Sequence, residues 1–123
     1  KTEDMKKIKI IDSLDLIRDD IKASFEENYI NVVNSHENKM LFIGAVNQYF
    51  KSLQSQGVLY DGADCRAYID VQSQREWLAQ KYDVSDWTDS EVEVANTGSI
   101  IFAGADITIQ DCIEDLSFKI GLE

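Results

Sequence analysis

Residues 115–122 read DLSFKIGL, and apolar and polar side chains alternate along this whole stretch. In a β-strand, such alternation places every second side chain on the same face. One face would carry Leu116, Phe118, Ile120 and Leu122. The stretch therefore predicts a half-buried strand, which either closes the sheet of its own domain or adds itself to the sheet of a neighbouring molecule.

A second alternating run lies just upstream, in residues 101–109. Its apolar side would be formed by Ile101, Ala103, Ala105, Ile107 and Ile109. The sequence Asn96-Thr97-Gly98 favours a turn before this run, because asparagine and glycine tolerate turn conformations. The pattern predicts a second strand of the same kind.

Residues 13–29 predict an amphipathic helix. Apolar side chains recur at helical spacing, at Leu14, Ile17, Ile21, Phe25 and Tyr29. We expect Asp12 or Ser13 to cap its first turn and the helix to end between Asn28 and Asn31. In front of it, Lys7-Ile8-Lys9-Ile10-Ile11 predicts a short strand, since lysine and isoleucine alternate.

Residues 35–55 predict a second long helix. Asn34 followed by Glu37 fits a capping box, and Gly57 supplies a left-handed stop. Its buried stripe is expected to comprise Met40, Ile43, Val46, Phe50 and Leu53.

The middle of the chain is less regular. We expect a strand at 67–71, helical structure at 72–82, and a short helical turn that begins within 85–91. Together the elements predict a single α+β domain over residues 1–123, with a small mixed or antiparallel sheet packed against two long amphipathic helices.

Composition limits the classes of function. The formal net charge is −11, which disfavours nucleic-acid binding because that normally requires a basic surface. The longest apolar run, residues 41–46, is too short to span a bilayer, and the first residues lack the apolar segment of a signal peptide. Without such a signal we expect Cys65 and Cys112 to be reduced thiols, although one disulfide is possible.

No catalytic, cofactor-binding or metal-binding residues are predicted, and we do not expect an enzyme. The one histidine, His36, is more simply a solvated residue at a helix start. The spacing of Asp61, Asp64 and Asp70 does not fit a calcium loop. The adjacent carboxylates Glu114 and Asp115 are expected to point apart.

Aromatic side chains at Trp77, Tyr82 and Trp87 fit core packing better than a binding platform.

Several segments together resemble the C-terminal domain of contractile tail sheath proteins, which occur in bacteriophages and in R-type bacteriocin particles. The resemblance rests on residues 9–30, on residues 34–59, which begin NSHENKMLFIGAVNQYF, and on the closing segments 95–98 and 107–116. Members of this family are much longer, so the resemblance implies that the chain is a C-terminal, tube-proximal part of a sheath subunit. It covers nearly the whole chain and does not distinguish phage from bacteriocin.

The resemblance also implies partners. Sheath subunits contact one another through exchanged terminal arms and surround a tail tube, in a virion tail or bacteriocin particle assembled in the host cytoplasm. Leu116, Phe118, Ile120 and Leu122 would then be subunit contacts. The acidic charge suggests an electrostatic contact with the tube, for which the candidates on the first helix are Asp15, Asp19, Asp20, Glu26 and Glu27.

Two other functions remain open from the residues alone. One is a stand-alone acidic adaptor that binds a partner at an exposed sheet edge. The other is a small hydrolase or metal enzyme that uses the carboxylate-rich loops.

Overall fold

The computed structural model describes residues 3–29, 35–98, 100–110 and 114–122, with all their side chains except those of residues 3–7 and 114. The described part contains both helices and an antiparallel sheet, as expected for an α+β domain. The elements in chain order are α1 (Glu3–Asn28), α2 (His36–Ser55), β1 (Arg66–Ile69), α3 (Val71–Ala79), α4 (Asp89–Val94), β2 (Ile101–Ile109) and β3 (Glu114–Leu122).

Helix α1 is longer than the sequence predicted. The expected strand at 7–11 is wrong, because this segment belongs to α1, and Asp12 and Ser13 therefore lie inside the helix rather than at its cap. The physical reason is the spacing of the apolar side chains. Ile10 stands four residues before Leu14, which is helical spacing, and Ile10 is partly buried. The predicted end at Asn28 is confirmed.

Helix α2 has the predicted length, with two corrections. Its N-cap is Ser35, whose hydroxyl accepts a 3.2 Å hydrogen bond from the Asn38 amide; Asn34 lies outside the described residues. In the predicted stripe, Met40 is 43% exposed, whereas Lys39 beside it is buried. Gly57 adopts the expected left-handed conformation, with φ of 80°.

The sheet has the order β1-β2-β3 within the described residues, and both pairings are antiparallel. The predicted strands at 101–109 and 115–122 are confirmed, and they are neighbours in the sheet. The predicted strand at 67–71 ends earlier than expected, at Ile69, because the Asp70 carboxylate accepts the Ser73 amide at 3.2 Å and so begins α3.

Helices α1 and α2 pack on one face of this sheet, and the apolar side of β2 lies beneath them as predicted. Phe25 of α1 meets Phe42 of α2 edge to face, with ring centroids 5.7 Å apart. Phe50 is fully buried below them. This interlayer core is the main apolar cluster of the described chain. No helix of the described residues is both long and apolar enough to cross a bilayer.

Helices α3 and α4 form a smaller unit around Leu78, Val84 and Val92. Thr88 and Glu91 make a capping box that begins α4. The Arg75 guanidinium joins the unit by donating to the carbonyl of Trp87 at 3.0 Å and to the Asp89 carboxylate at 2.9 Å.

Candidate subunit-contact surface

The four apolar side chains of β3 lie on the face that the sequence predicted. Phe118 and Leu122 are buried in the core, and Leu116 and Ile120 pack against it while partly exposed. In this structure β3 therefore closes the sheet of its own chain. Burial of these side chains supplies most of the apolar contact between β3 and the domain.

The outer edge of β3 carries backbone groups that point away from the sheet. On β2, the carbonyl of Phe102 accepts the Asp70 amide, so even-numbered residues of β2 bond towards β1. The backbone groups of Gly104 therefore face β1. The backbone groups of Lys119, which is paired with Gly104, point away from β2 towards the outer edge of β3. The same alternation applies to Ser117. Within the described residues no further strand pairs with this edge.

Arg18 of α1 reaches this outer edge. Its guanidinium donates a 2.9 Å hydrogen bond to the carbonyl of Lys119 and lies 5.6 Å from the centroid of the Phe118 ring. The first contact occupies one outward carbonyl, and the second is a cation–π interaction. Arg18 thus attaches the edge of β3 to α1.

The side chain of Lys119 makes a separate contact across the sheet. Its ammonium lies 3.5 Å from the carboxylate of Asp70, whose side chain is only 5% exposed. Asp70 also accepts hydrogen bonds from Ser73 and caps α3. Lys119 therefore links β3 to the start of α3.

The sequence predicted neither contact of Lys119. The available signal was its charge, since Lys119 is the one basic residue of β3 in a strongly acidic chain.

The acidic side chains proposed for the tube are all exposed on α1: Asp15, Asp19, Asp20, Glu26 and Glu27. Asp20 differs from the others because its carboxylate accepts a hydrogen bond from the hydroxyl of Tyr49 on α2. Burial and this carboxylate raise the pKa of Tyr49 well above its ordinary value. Asp20 therefore has a structural role between the two helices.

The residues considered for metal binding are not brought together. Asp70 caps α3, and Asp64 lies 3.9 Å from Arg66. No group of three potential ligands occurs within the described residues. His36 is the first residue of α2, at a partly buried position.

A depression of about 320 Å³ lies beside the β2–β3 pair and contains the carboxylates of Asp106 and Asp115. Both are engaged: Asp106 accepts from Ser117 at 2.6 Å, and Asp115 accepts from Thr108 at 2.7 Å. These bonds fasten β3 to β2. The side chain of Glu114 lies outside the described residues, so its predicted orientation stays a prediction.

The aromatic residues of the middle segment pack as expected, in part. Trp77 and Trp87 lie against the small core, and Trp77 also approaches Phe102 with ring centroids 6.3 Å apart. Tyr82 is exposed and stacks on Trp87.

Cys65 is a buried free thiol. Its sulfur accepts a 3.4 Å hydrogen bond from the Thr108 amide. Cys112 lies outside the described residues, and the expectation of two reduced thiols stays a prediction.

Comparison with known proteins gives two matches. Residues 1–123 match the sequence model of the phage tail sheath C-terminal domain. The chain is also 35% identical, over 122 residues, to a tail sheath protein of Clostridium phage phiCD119. The aligned region covers 98% of this chain and 34% of that relative, so the chain spans about a third of the relative's length.

Proposed function

Because the chain belongs to the phage tail sheath C-terminal domain family, we propose that it is a structural module of a contractile tail sheath in which neighbouring subunits exchange β3. In the exchanged form, β3 of one copy would occupy the position beside β2 of the next copy. This role requires no catalytic group. The phage origin of the relative favours a virion tail as its location, rather than a bacteriocin particle.

The observation that carries the proposal is the way β3 is held. Its contacts to the rest of the domain are side-chain burial, a ladder with β2, and polar contacts from Arg18 and Asp70. All of them are equally available to an identical strand from another copy, because exchange of identical elements creates no new contacts in the domain. Backbone ladders also persist while a connecting hinge flexes, as a shortening sheath requires.

The two alternative functions are less well supported. A stand-alone adaptor does not account for the relative, which is about three times as long as the chain. A hydrolase or metal enzyme would need converging groups, whereas the carboxylates of Asp70, Asp106 and Asp115 are engaged in structural contacts.

Cross-linking between subunits tests the exchange directly. Asp106 and Ser117 are directly opposite each other in a pair whose backbone groups point away from one another. Such pairs have Cα atoms about 4.5 Å apart, which suits a disulfide. Two full-length subunits are prepared with their native cysteines replaced, one carrying Asp106→Cys and the other Ser117→Cys. They are mixed, assembled and oxidised.

Exchange predicts disulfide-linked dimers in the assembled mixture, visible after denaturation without reductant. In the matched control, the first subunit carries Gln48→Cys instead of Asp106→Cys. Gln48 is exposed on α2 and is not paired with β3, so this mixture should give no dimers. If the mixture assembles into sheaths without dimers, while a subunit carrying both cysteines forms the intramolecular bond, then β3 stays in its own subunit and the proposal is wrong.

A contact between the acidic face of α1 and the tail tube is the second part of the proposal. Asp15, Asp19, Glu26 and Glu27 are exposed carboxylates without a role in the core. We propose that they face a tube surface of opposite charge.

A further inference from the structure

Lys119 of β3 makes polar contacts with two different elements, α1 and the start of α3. Its carbonyl accepts a hydrogen bond from Arg18 of α1 at 2.9 Å. Its ammonium lies 3.5 Å from the carboxylate of Asp70, at the start of α3. The ion pair is made by the side chain and is lost if β3 slips along β2, whereas a slip of two residues presents another outward carbonyl to Arg18.

The apolar side chains alone do not determine where β3 sits. Because side chains alternate with a period of two, a slip of one residue turns the apolar set to solvent, whereas a slip of two residues keeps it on the buried face. After such a slip, Leu122 would replace Ile120 opposite Ala103. The alternating pattern that identified the strand is therefore compatible with more than one register.

The polar side of β3 removes this ambiguity. It carries Asp115, Ser117, Lys119 and Gly121, of which one alone is a cation. A slip of two residues would bring Ser117 or Gly121 opposite Gly104 in place of Lys119. Neither offers a positive charge to Asp70.

Gly104 is the residue of β2 that lies between Lys119 and β1. It pairs with Lys119 on one side and with Tyr68 on the other. A Cβ atom at Gly104 would lie 2.6 Å from Cε1 of the Tyr68 ring, so the ring covers the space that a side chain would fill. Asp70 follows Tyr68 by two residues, so the contact between the Lys119 ammonium and the Asp70 carboxylate runs diagonally across β2.

We infer that Lys119 fixes the register in which β3 docks beside β2, and that the carboxylate of Asp70 is the group that selects it. A buried carboxylate that loses its cation is costly, so any strand that fails to place a lysine opposite Gly104 is disfavoured. For a strand supplied by a second copy, this inference rests on the proposed function. The lysine would then ensure that every exchanged strand enters in the same register.

Moving the lysine tests the inference. In the 123-residue chain, Lys119→Ser combined with Gly121→Lys shifts the cation by two positions. The register that returns it to Asp70 lengthens the connection between β2 and β3, which costs little. Contacts between α-protons of opposite residues, measured by NMR, report the register directly, because they are strong in pairs such as Asp106 and Ser117.

The relocated lysine should produce a contact between Asp106 and residue 119, which the unchanged chain lacks. Gly121→Lys alone keeps Lys119 and is the matched control, with the native contact expected. If the relocation variant folds and shows the native Asp106–Ser117 contact alone, the register is set by other features and the inference is wrong.

A stability measurement covers the case in which the relocation variant does not fold. Lys119→Met and Asp70→Asn each remove one charge, and asparagine keeps the ability to cap α3. We expect each change to lower the ratio of folded to unfolded chain about tenfold, and the double variant to lose little more than either one. Fully additive losses would show that the two side chains are not coupled and would overturn the inference.

These outcomes are independent of the exchange itself. If cross-linking shows that β3 remains in its own subunit while the relocated lysine still shifts the register, the proposed exchange is wrong and Lys119 sets the register of the hairpin within one chain. If exchange occurs and the register does not respond to the lysine, the proposed function stands and the inference is wrong.

Discussion

The ammonium of Lys39 donates a 2.7 Å hydrogen bond to the hydroxyl of Thr97, and both side chains are buried. Lys39 lies in the first turn of α2, and Thr97 lies in the turn before β2. Thr97 in turn donates to the carbonyl of Ile100 at 2.7 Å. The contact therefore ties the start of the second helix to the entry of the central strand.

Lys39 should make stability depend on alkaline pH. Burial lowers its pKa from the ordinary 10.5. Between the lowered value and 10.5 the unfolded chain binds more protons than the folded chain, so the contribution of this site to stability rises as pH rises through that window. Relative to Lys39→Met, the unchanged chain should gain stability in urea unfolding measured from neutral pH upward.

Lys22→Met, at an exposed position of α1, is the matched control and should not alter the pH dependence. A constant difference in unfolding free energy between the unchanged chain and Lys39→Met across this pH range would contradict the prediction.

Tyr49 should have the opposite effect on the pH dependence of stability. Burial, together with the Asp20 carboxylate, raises its pKa above 10.0, so above that pH the folded chain holds a proton that the unfolded chain loses. Stability contributed by Tyr49 is therefore present below pH 10.0 and decreases as pH rises beyond it. Tyr49→Phe should lose less stability than the unchanged chain in alkaline unfolding experiments. Tyr82→Phe, at an exposed site, should behave as the unchanged chain does.

Core truncations should separate the buried and exposed faces of the two long helices. Phe25 and Phe50 are both buried, and replacing either by alanine should cost about 3–5 kcal/mol of unfolding free energy. The exposed changes Asp19→Lys and Lys22→Glu should cost less than about 0.5 kcal/mol. Equal losses for the two sets in urea unfolding would mean that the helix faces are assigned wrongly.

The sequence predicted correctly those elements in which the apolar pattern of a strand or a helix repeats several times. Residues 101–109 and 115–122 alternate over many residues, and α2 has several helical turns of apolar spacing, so local pattern was sufficient. The five residues 7–11 fit both a strand and a helix. In the structure this segment belongs to α1, in agreement with the helical spacing between Ile10 and Leu14.

Local sequence patterns could not predict the polar contacts of the candidate subunit-contact surface. Arg18 and Lys119 are 101 residues apart in sequence, and nothing in either neighbourhood marks the other. Asp70 was considered with Asp61 and Asp64 as a turn residue, whereas in the fold it caps a helix and faces a strand that follows much later. Long-range polar pairs depend on topology, which local periodicity does not determine.

Gly104 should tolerate substitution poorly. Because a Cβ atom there would lie 2.6 Å from the Tyr68 ring, Gly104→Ala must displace that ring and its 3.4 Å hydrogen bond to Asp106. We expect a loss of about 1–3 kcal/mol in unfolding free energy. Gly121→Ala is the matched control on the neighbouring strand, since, its chain neighbours aside, no atom of the described residues lies within 4 Å of its Cβ position. A similar stability for both variants would show that the ring moves freely.

The proposed tube contact should weaken as salt concentration rises. Charges exposed to solvent are screened over about 8 Å at physiological ionic strength, so a contact made by Asp15, Asp19, Glu26 and Glu27 should be strong in low salt and weak in high salt. Replacing these four carboxylates by the corresponding amides should reduce binding of the full-length sheath subunit to assembled tubes in co-sedimentation. The remaining binding should then depend less on salt.

Asp20→Asn provides the control for this experiment. Its carboxylate bonds to Tyr49, so this change should lower the stability of the helix pair while leaving tube binding and its salt dependence nearly unchanged. A sheath that contracts must release its tube, and a screened electrostatic contact is easier to break than a buried apolar one. If tube binding is equal in low and high salt and insensitive to the four substitutions, the contact is apolar, and the exposed side chains of Leu16 and Leu41 become the surface to test.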